Sequence, residues 1–243
     1  MTGTSFNPDK TVKTGKRYIV SLILPSVATS IAAGTNSAPT FSLSDFFSLK
    51  SIKGDNIITI GDYCICDTPL ERVDFPKATT IGNRAFFLCS LQSISFPLVT
   101  TIGEYAFDSC SLLQSASFPL VTTIGEYAFH SCSKLSSLSI PKVTRIETYA
   151  FATGSTGLTI TMGPTAPTLA IHVAVLSGQT VKVKVPIGAT GYTPFSGTSV
   201  TVSGSDSTVN WANGLRGAGW TGSAFASSGG YVRSGVTVII EQQ

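Results

Sequence analysis

Apolar positions return along this chain at a nearly fixed interval. Ile60, Ile81, Ile102, Ile124 and Ile146 are separated by 21, 21, 22 and 22 residues, and they open the segments IGDYCICDTP, IGNRAFFLCS, IGEYAFDSCS, IGEYAFHSCS and IETYAFATGS. Pro76, Pro97, Pro119, Pro141, Pro164 and Pro186 keep the same beat, 21, 22, 22, 23 and 22 residues apart. Before the prolines stands the pattern LxxIxFP, as in Leu70, Val73, Phe75; Leu91, Ile94, Phe96; and Leu135, Leu138, Ile140. Its last two apolar positions alternate with a polar one, which predicts a strand with one face buried. Proline then ends the strand where its missing N–H costs least. The VTTIG half-coil is expected to turn inward at isoleucine and bend at glycine, and AFxxC to form a tight helical turn with Phe in the core. A period of roughly 20–29 residues held this regularly specifies a solenoid.

Stacking the coils at about one strand spacing, ~4.8 Å, puts like on like. The expected inward columns are the five isoleucines, then Phe86, Phe107, Phe129 and Phe151, then Cys89, Cys110 and Cys132. The register extends outward from these copies. Ile19, Leu22, Leu24 and Pro25 fit the strand pattern; Leu49, Ile52 and Gly54 fit it loosely, with an insertion between Ile31 and Leu49 whose SLSDFF is expected to form a short capped helix. Leu158, Ile160 and Met162 make a degenerate coil, and Val181, Val183, Val185 and Pro186 the last. Beyond it the composition shifts to Gly, Ser and Thr. A helix from about Ser207 to Leu215, with Trp211 and Leu215 on one face, and a strand Val236 to Ile240 are expected to cover the final coil, because an open solenoid end is an aggregating edge. The organisation is thus 1–55 an N-terminal coil with an insertion, 56–186 repeat coils, and 187–243 a C-terminal cap.

At these residues the chain resembles the BspA-type leucine-rich-repeat family of bacterial, including spirochaete, surface proteins, whose repeat runs as strand, proline, IGxxAFxxC. The match is specific over residues 56–151, where several residue types recur together. The tail, VKVKVPIGATGY, WANGLRGAGW and VTVIIE, is similar to the C-terminal caps of spirochaete members. The resemblance implies a leucine-rich-repeat solenoid, β-rich with short helical turns, a parallel sheet on one face and a C-terminal cap. It also implies an extracellular or cell-surface protein, with the periplasm as the alternative, often adhesive toward host or matrix proteins.

Composition narrows the function classes. Of 243 residues 42% are hydrophobic and only 12% charged, enough for a core but poor material for long amphipathic helices. The net charge of +3 is far from the clustered basic footprint of a nucleic-acid binder. No apolar run reaches the eighteen or so residues of a membrane helix. Lys10, Lys13, Lys16 and Arg17 ahead of YIVSLILPSVATSIAA read superficially as an export leader, whereas Asp9, Pro25 and the repeat register claim the same segment for the first coil.

Catalytic chemistry has few candidates. The two histidines, His130 and His172, have no companions at metal or triad spacing, and no cofactor is expected. Cys89, Cys110, Cys132 and Cys64 are expected to be small buried hydrophobes. Cys66 aligns with Phe87, Asp108 and His130, a mixed row expected to be exposed, and so is expected to be the reactive thiol. Cys66 and His130 lie three coils apart, about 15 Å, which excludes a Cys/His/Asp constellation. The glycines of Asn213–Trp220 carry no dinucleotide signal and read as cap turns.

The strand face turned away from the core is the natural recognition surface of a solenoid. Its outward positions are Lys50 and Lys53, then Glu71, Arg72 and Asp74, then Gln92, Ser93 and Ser95, then Gln114, Ser115 and Ser117. Charge gathers at one end, and the rest is small and neutral. These observations favour a non-enzymatic module that binds a protein partner, with extracellular-matrix proteins implied by the resemblance. The alternative is a carrier or sensor of a small apolar ligand, held near the aromatic cap residues Tyr192, Phe195, Trp211, Trp220, Phe225 and Tyr231.

Overall fold

The computed structural model describes residues 18–165, 181–187 and 189, together with the backbone of the further strands named below. Each coil has three sides. The first is the strand that precedes proline. Ser21–Ile23, Ser51–Lys53 and Arg72–Asp74 form a three-stranded sheet, in which Leu22, Ile52 and Val73 are register partners. Ser93–Ser95, Ser115–Ser117, Ser137–Ile140, Gly157–Met162 and Thr180–Val185 continue this side as parallel neighbours. Ile94, Ala116, Leu138, Ile160 and Val183 form one inward column there, with Leu138, Ile160 and Val183 fully buried.

The second side is also a sheet, where the sequence pattern suggested only a bend. Thr59–Ile60, Thr80–Ile81, Thr101–Ile102, Thr123–Ile124 and Arg145–Ile146 pair in parallel, residue on homologous residue. Ala28–Ile31 and Thr4–Phe6 extend it at one end and Thr168–Leu169 at the other. Two-residue strands suffice because isoleucine alone must reach the core. Glycine follows because a side chain has no room: a Cβ on Gly103 would stand 2.6 Å from the Gly82 carbonyl carbon and 2.7 Å from the Asn83 nitrogen of the preceding coil.

The third side corrects the expected helical turn. Tyr63, Arg84, Tyr105, Tyr127 and Tyr149 have φ between 49 and 55°, and Asp67, Leu88, Ser109 and Ser131 between 49 and 61°. Left-handed backbone costs an L-residue about 1–2 kcal/mol. It is offset by hydrogen bonding between coils, since the left-handed geometry turns alternate amides toward the next coil. Tyr105, Phe107 and Ser109 donate to the carbonyls of Glu126, Ala128 and His130 at 2.8 Å, while Asp108 and Cys110 close local turns onto Tyr105 and Phe107. The tyrosines stack above this ladder, Tyr105 on Tyr127 at 4.7 Å and Tyr127 on Tyr149 at 5.0 Å.

Between the three sides lies one continuous core. Phe86, Phe107 and Phe129 stack at successive centroid distances of 5.3 Å, and Phe96 stacks on Phe118 at 5.8 Å. The cysteine column carries a second function besides filling space. The thiols of Cys89, Cys110 and Cys132 donate to the carbonyls of Ile65, Phe86 and Phe107 in the preceding coil at 2.8, 3.1 and 3.1 Å.

The ends differ from expectation in two respects. The insertion contains a helix, Leu43–Phe46, but Ser42 makes no side-chain capping bond; the segment is held instead by buried Phe41 and Phe46, whose rings lie 5.1 Å apart. The leader-like segment includes the strand Ser21–Ile23, a paired part of the solenoid. Toward the other end, Ser207–Val209 is a strand paired antiparallel with Gly230–Val232, so the helix expected from Ser207 does not start there. Thr237–Gln242 pairs in parallel with Thr180–Val185, and Ser199–Thr201 follows it antiparallel. The rest of the expected cap, with Asn213–Trp220 and the side chains of the cap aromatics, lies outside the described residues, as does His172 of the last coils.

Candidate protein-binding face

The pre-proline strands hold their outward side chains on one surface, because a strand alternates its faces and the inward residues are fixed by the core. The charged end of this surface is internally paired. Lys50 meets Glu71 at 2.9 Å; Lys53 is shared between Asp55 at 3.2 Å and Asp74 at 3.7 Å, and both carboxylates raise its pKa, Asp55 more strongly. Such exposed pairs are worth little to stability. Arg72 is exposed and, among the described residues, forms no ion pair. Farther along the surface Ser93 and Ser115 share a hydroxyl hydrogen bond of 2.9 Å.

Among the described residues the ladder on this side is interrupted once. Arg72–Asp74 ends the three-stranded sheet, and Ser93–Ser95 begins the next one. The Gln92 amide, donating to the Glu71 carbonyl at 3.3 Å, ties the two segments at their entrance. Val73 is half-buried as a result, whereas its column mates Ile52 and Ile94 are 1% and 3% exposed. Over this gap lies an open depression of about 480 Å³, lined by Ser51, Ile52, Lys53, Arg72, Val73, Asp74, Ser93 and Ser95. Of the residues singled out in the sequence, Lys53, Arg72, Asp74, Ser93 and Ser95 meet there. Lys50, Glu71, Gln92, Gln114, Ser115 and Ser117 share the surface outside that lining. Val73 was not legible as part of a site, because its place in LxxIxFP marks it as core.

The expectation for Cys66 is overturned. It is 4% exposed and its thiol donates to the Arg84 carbonyl at 2.9 Å. Burial pushes its pKa up to about 12, the opposite of what a reactive thiol needs. The row it belongs to is not an exposed one. Phe87 and His130 are half-buried and Asp108 is buried, its carboxylate accepting from Ser109 Oγ at 3.0 Å and lying 2.9 Å from His130 Nδ1. Burial likewise raises the thiol pKa values of Cys64, Cys89, Cys110 and Cys132. Among the described residues no three His, Cys, Asp or Glu side chains group to hold a metal ion. Nor does any helix there have the length and apolarity to cross a membrane.

The BspA type leucine rich repeat region matches residues 18–163 in six copies. The chain belongs to the BspA-type leucine-rich-repeat family. Its fold is similar to that of a leucine-rich repeat protein from Bacteroides ovatus, with a TM-score of 0.52 at 21% identity over 72% of this chain and 51% of that one. The chain therefore spans about half the length of that protein. Weaker likenesses are to the pneumococcal vaccine antigen PcpA, TM-score 0.31 at 15% identity over 76% and 73% of the two chains. A leucine rich cell surface protein from Faecalibacterium prausnitzii gives 0.28 at 16% over 84% and 79%. No curated protein sequence matched. Within this BspA-type solenoid, the open rung between Arg72–Asp74 and Ser93–Ser95 is the main departure from regular stacking on the strand side.

Proposed function

We propose that the chain is a non-enzymatic protein-binding module, displayed outside the cytoplasm and adhesin-like toward host or matrix proteins, with the pre-proline strand face as its binding surface. The depression beside Arg72 is the observation that carries this reading. Its walls come from three successive coils, and it sets an exposed guanidinium, without an ion pair among the described residues, beside the hydroxyl side chains of Ser93 and Ser95, and arginine is a side chain that anchors interfaces. Membership of the repeat family supports the class of function.

The test is binding of the purified chain to immobilised extracellular-matrix proteins such as fibronectin and laminin. Arg72→Glu and Ser95→Arg change charge and bulk at the depression without touching a buried residue, so both are expected to weaken binding while leaving the melting temperature within a few degrees. The charge reversal acts mainly on the association rate and fades with added salt. Trp220→Ala serves as the comparison. If both strand-face variants bind like the parent while the Trp220 variant, still folded, loses its partner, the strand face is the wrong surface.

A further inference from the structure

The turn side of the solenoid is chemically unlike the strand face. On the strand face Lys50 and Lys53 are matched by Glu71, Asp55 and Asp74. The turn segments 61–67, 82–88, 103–109 and 125–131 instead carry five carboxylates, Asp62, Asp67, Glu104, Asp108 and Glu126, against one guanidinium, Arg84. With His130 counted as neutral, five against one leaves −4 on this side of a chain whose net charge is +3. Asp108 is buried and engaged by His130 and Ser109. Asp67, Glu104 and Glu126 are exposed and, among the described residues, form no ion pair. Next to Glu104 and Glu126 runs the half-buried column of Tyr63, Arg84, Tyr105, Tyr127 and Tyr149.

That column already holds one guanidinium. Arg84 lies 4.4 Å from the ring centroid of Tyr105 and 5.7 Å from that of Tyr63, with Phe87 at 5.5 Å. Beyond it Tyr105 and Tyr127 cover each other's faces, so this stretch presents ring edges and hydroxyls beside two unpaired carboxylates. The Tyr127 pKa is raised, first by burial and then by Tyr105, Tyr149 and Glu126. A field that opposes added negative charge favours a cation. We infer that the turn side receives an extended, arginine-rich segment of a partner protein, whose guanidinium groups pair with Glu104 and Glu126 and donate to the hydroxyls of Tyr105 and Tyr127. Arginine suits this better than lysine, since its planar fork engages a carboxylate bidentately and keeps donors for a phenol oxygen. Alternate residues of an extended segment fall on one face about 6.8 Å apart, near enough to the coil step of about 4.8 Å for long stems to reach successive carboxylates. Neither Arg72 nor Ser95 belongs to this surface, so it is separable from the strand face.

Fluorescence anisotropy at low ionic strength, with labelled octapeptides of alternating Arg and Ser, Lys and Ser, or Glu and Ser, tests this surface. The parent is expected to bind Arg/Ser about threefold more tightly than Lys/Ser and at least about tenfold more tightly than Glu/Ser. An exposed ion pair is worth up to roughly fivefold, so the double variant Glu104→Gln, Glu126→Gln should bind Arg/Ser about tenfold more weakly. Both positions are exposed, and its melting temperature should stay within a few degrees of the parent's. Tyr127→Phe keeps the ring stack and removes one hydroxyl, for an expected loss of about threefold. Ser95→Arg on the strand face should change the affinity for Arg/Ser by less than about twofold, because its charge is remote and screened. No binding of Arg/Ser by the parent, equal binding of Arg/Ser and either other peptide, or a double variant that binds Arg/Ser like the parent overturns the arginine-rich segment. Loss of Arg/Ser binding in Ser95→Arg without loss in the double variant moves the basic peptide to the strand face and removes the turn side as its surface.

Discussion

One junction between coils looks different from its three sides. On the turn side it is fully bonded: the amides of Arg84, Phe86 and Leu88 donate to the carbonyls of Glu104, Ala106 and Asp108 at 2.8, 2.8 and 2.9 Å. The second side is bonded too, Thr80–Ile81 against Thr101–Ile102. On the strand side of the same junction the pairing of Arg72–Asp74 with Ser93–Ser95 lapses. The contrast teaches that two bonded sides and the core between them set the rise of the solenoid, which releases the third side to open a depression without breaking the stack. The proposed binding surface lies where the fold can spare its hydrogen bonds.

Phe107→Ala attacks the bonded part of that junction most directly, since Phe107 is fully buried and stacks on Phe86 at 5.3 Å with an interplanar angle of 5°. The expected loss is about 3–5 kcal/mol in a denaturant melt; a loss under about 1 kcal/mol, typical of surface changes, means the phenylalanine column does not hold the coils together.

A smaller effect is expected from Cys110→Ala, which removes the thiol that bonds Phe86 across the same junction: about 1 kcal/mol. Alkaline pH probes the thiols as a set. Their folded pKa values lie above the reference value of 9.0, at about 12 for Cys66 and Cys89, because burial disfavours thiolate. The stability gained by keeping them protonated is complete below about pH 9 and is lost as pH rises through about 12. Under reducing conditions the melting temperature should fall across that interval, and less steeply in Cys110→Ala than in the parent. Identical slopes in the two proteins contradict the role given to the thiols.

The smallest change belongs to the open side. Val73→Ala, half-buried at the lapsed rung, should cost less than about 1 kcal/mol, near the range of surface substitutions. A loss of 2 kcal/mol or more, as for truncation of a well-covered aliphatic side chain, shows Val73 to be as well packed as Ile94.

The columns of isoleucine, phenylalanine and cysteine were readable because identical residues must stack on themselves at each coil, so spacing alone reveals them. The second sheet was hidden by its brevity: with one inward residue per strand there is no alternation to detect. The turn conformation was hidden by chemistry, since tyrosine and serine occupy left-handed positions that glycine usually advertises. Cys66 was misplaced because its alignment partners Asp108 and His130 are polar, while the carbonyl of Arg84 that accepts its thiol is visible only in three dimensions. The open rung has no signature in the repeat, for Val73 obeys the pattern as faithfully as Ile94 does.

The residue-on-residue register of the coils also makes the molecule a ruler. Each additional coil of 21 or 22 residues lengthens every surface column by one step, about 4.8 Å, and leaves the order within each column unchanged. Distances between features on different coils are therefore quantised. The separation of the Arg72 depression from anything displayed farther along the axis can change only in whole coils, so a chain that gained or lost a repeat between them would alter its reach while keeping the depression intact.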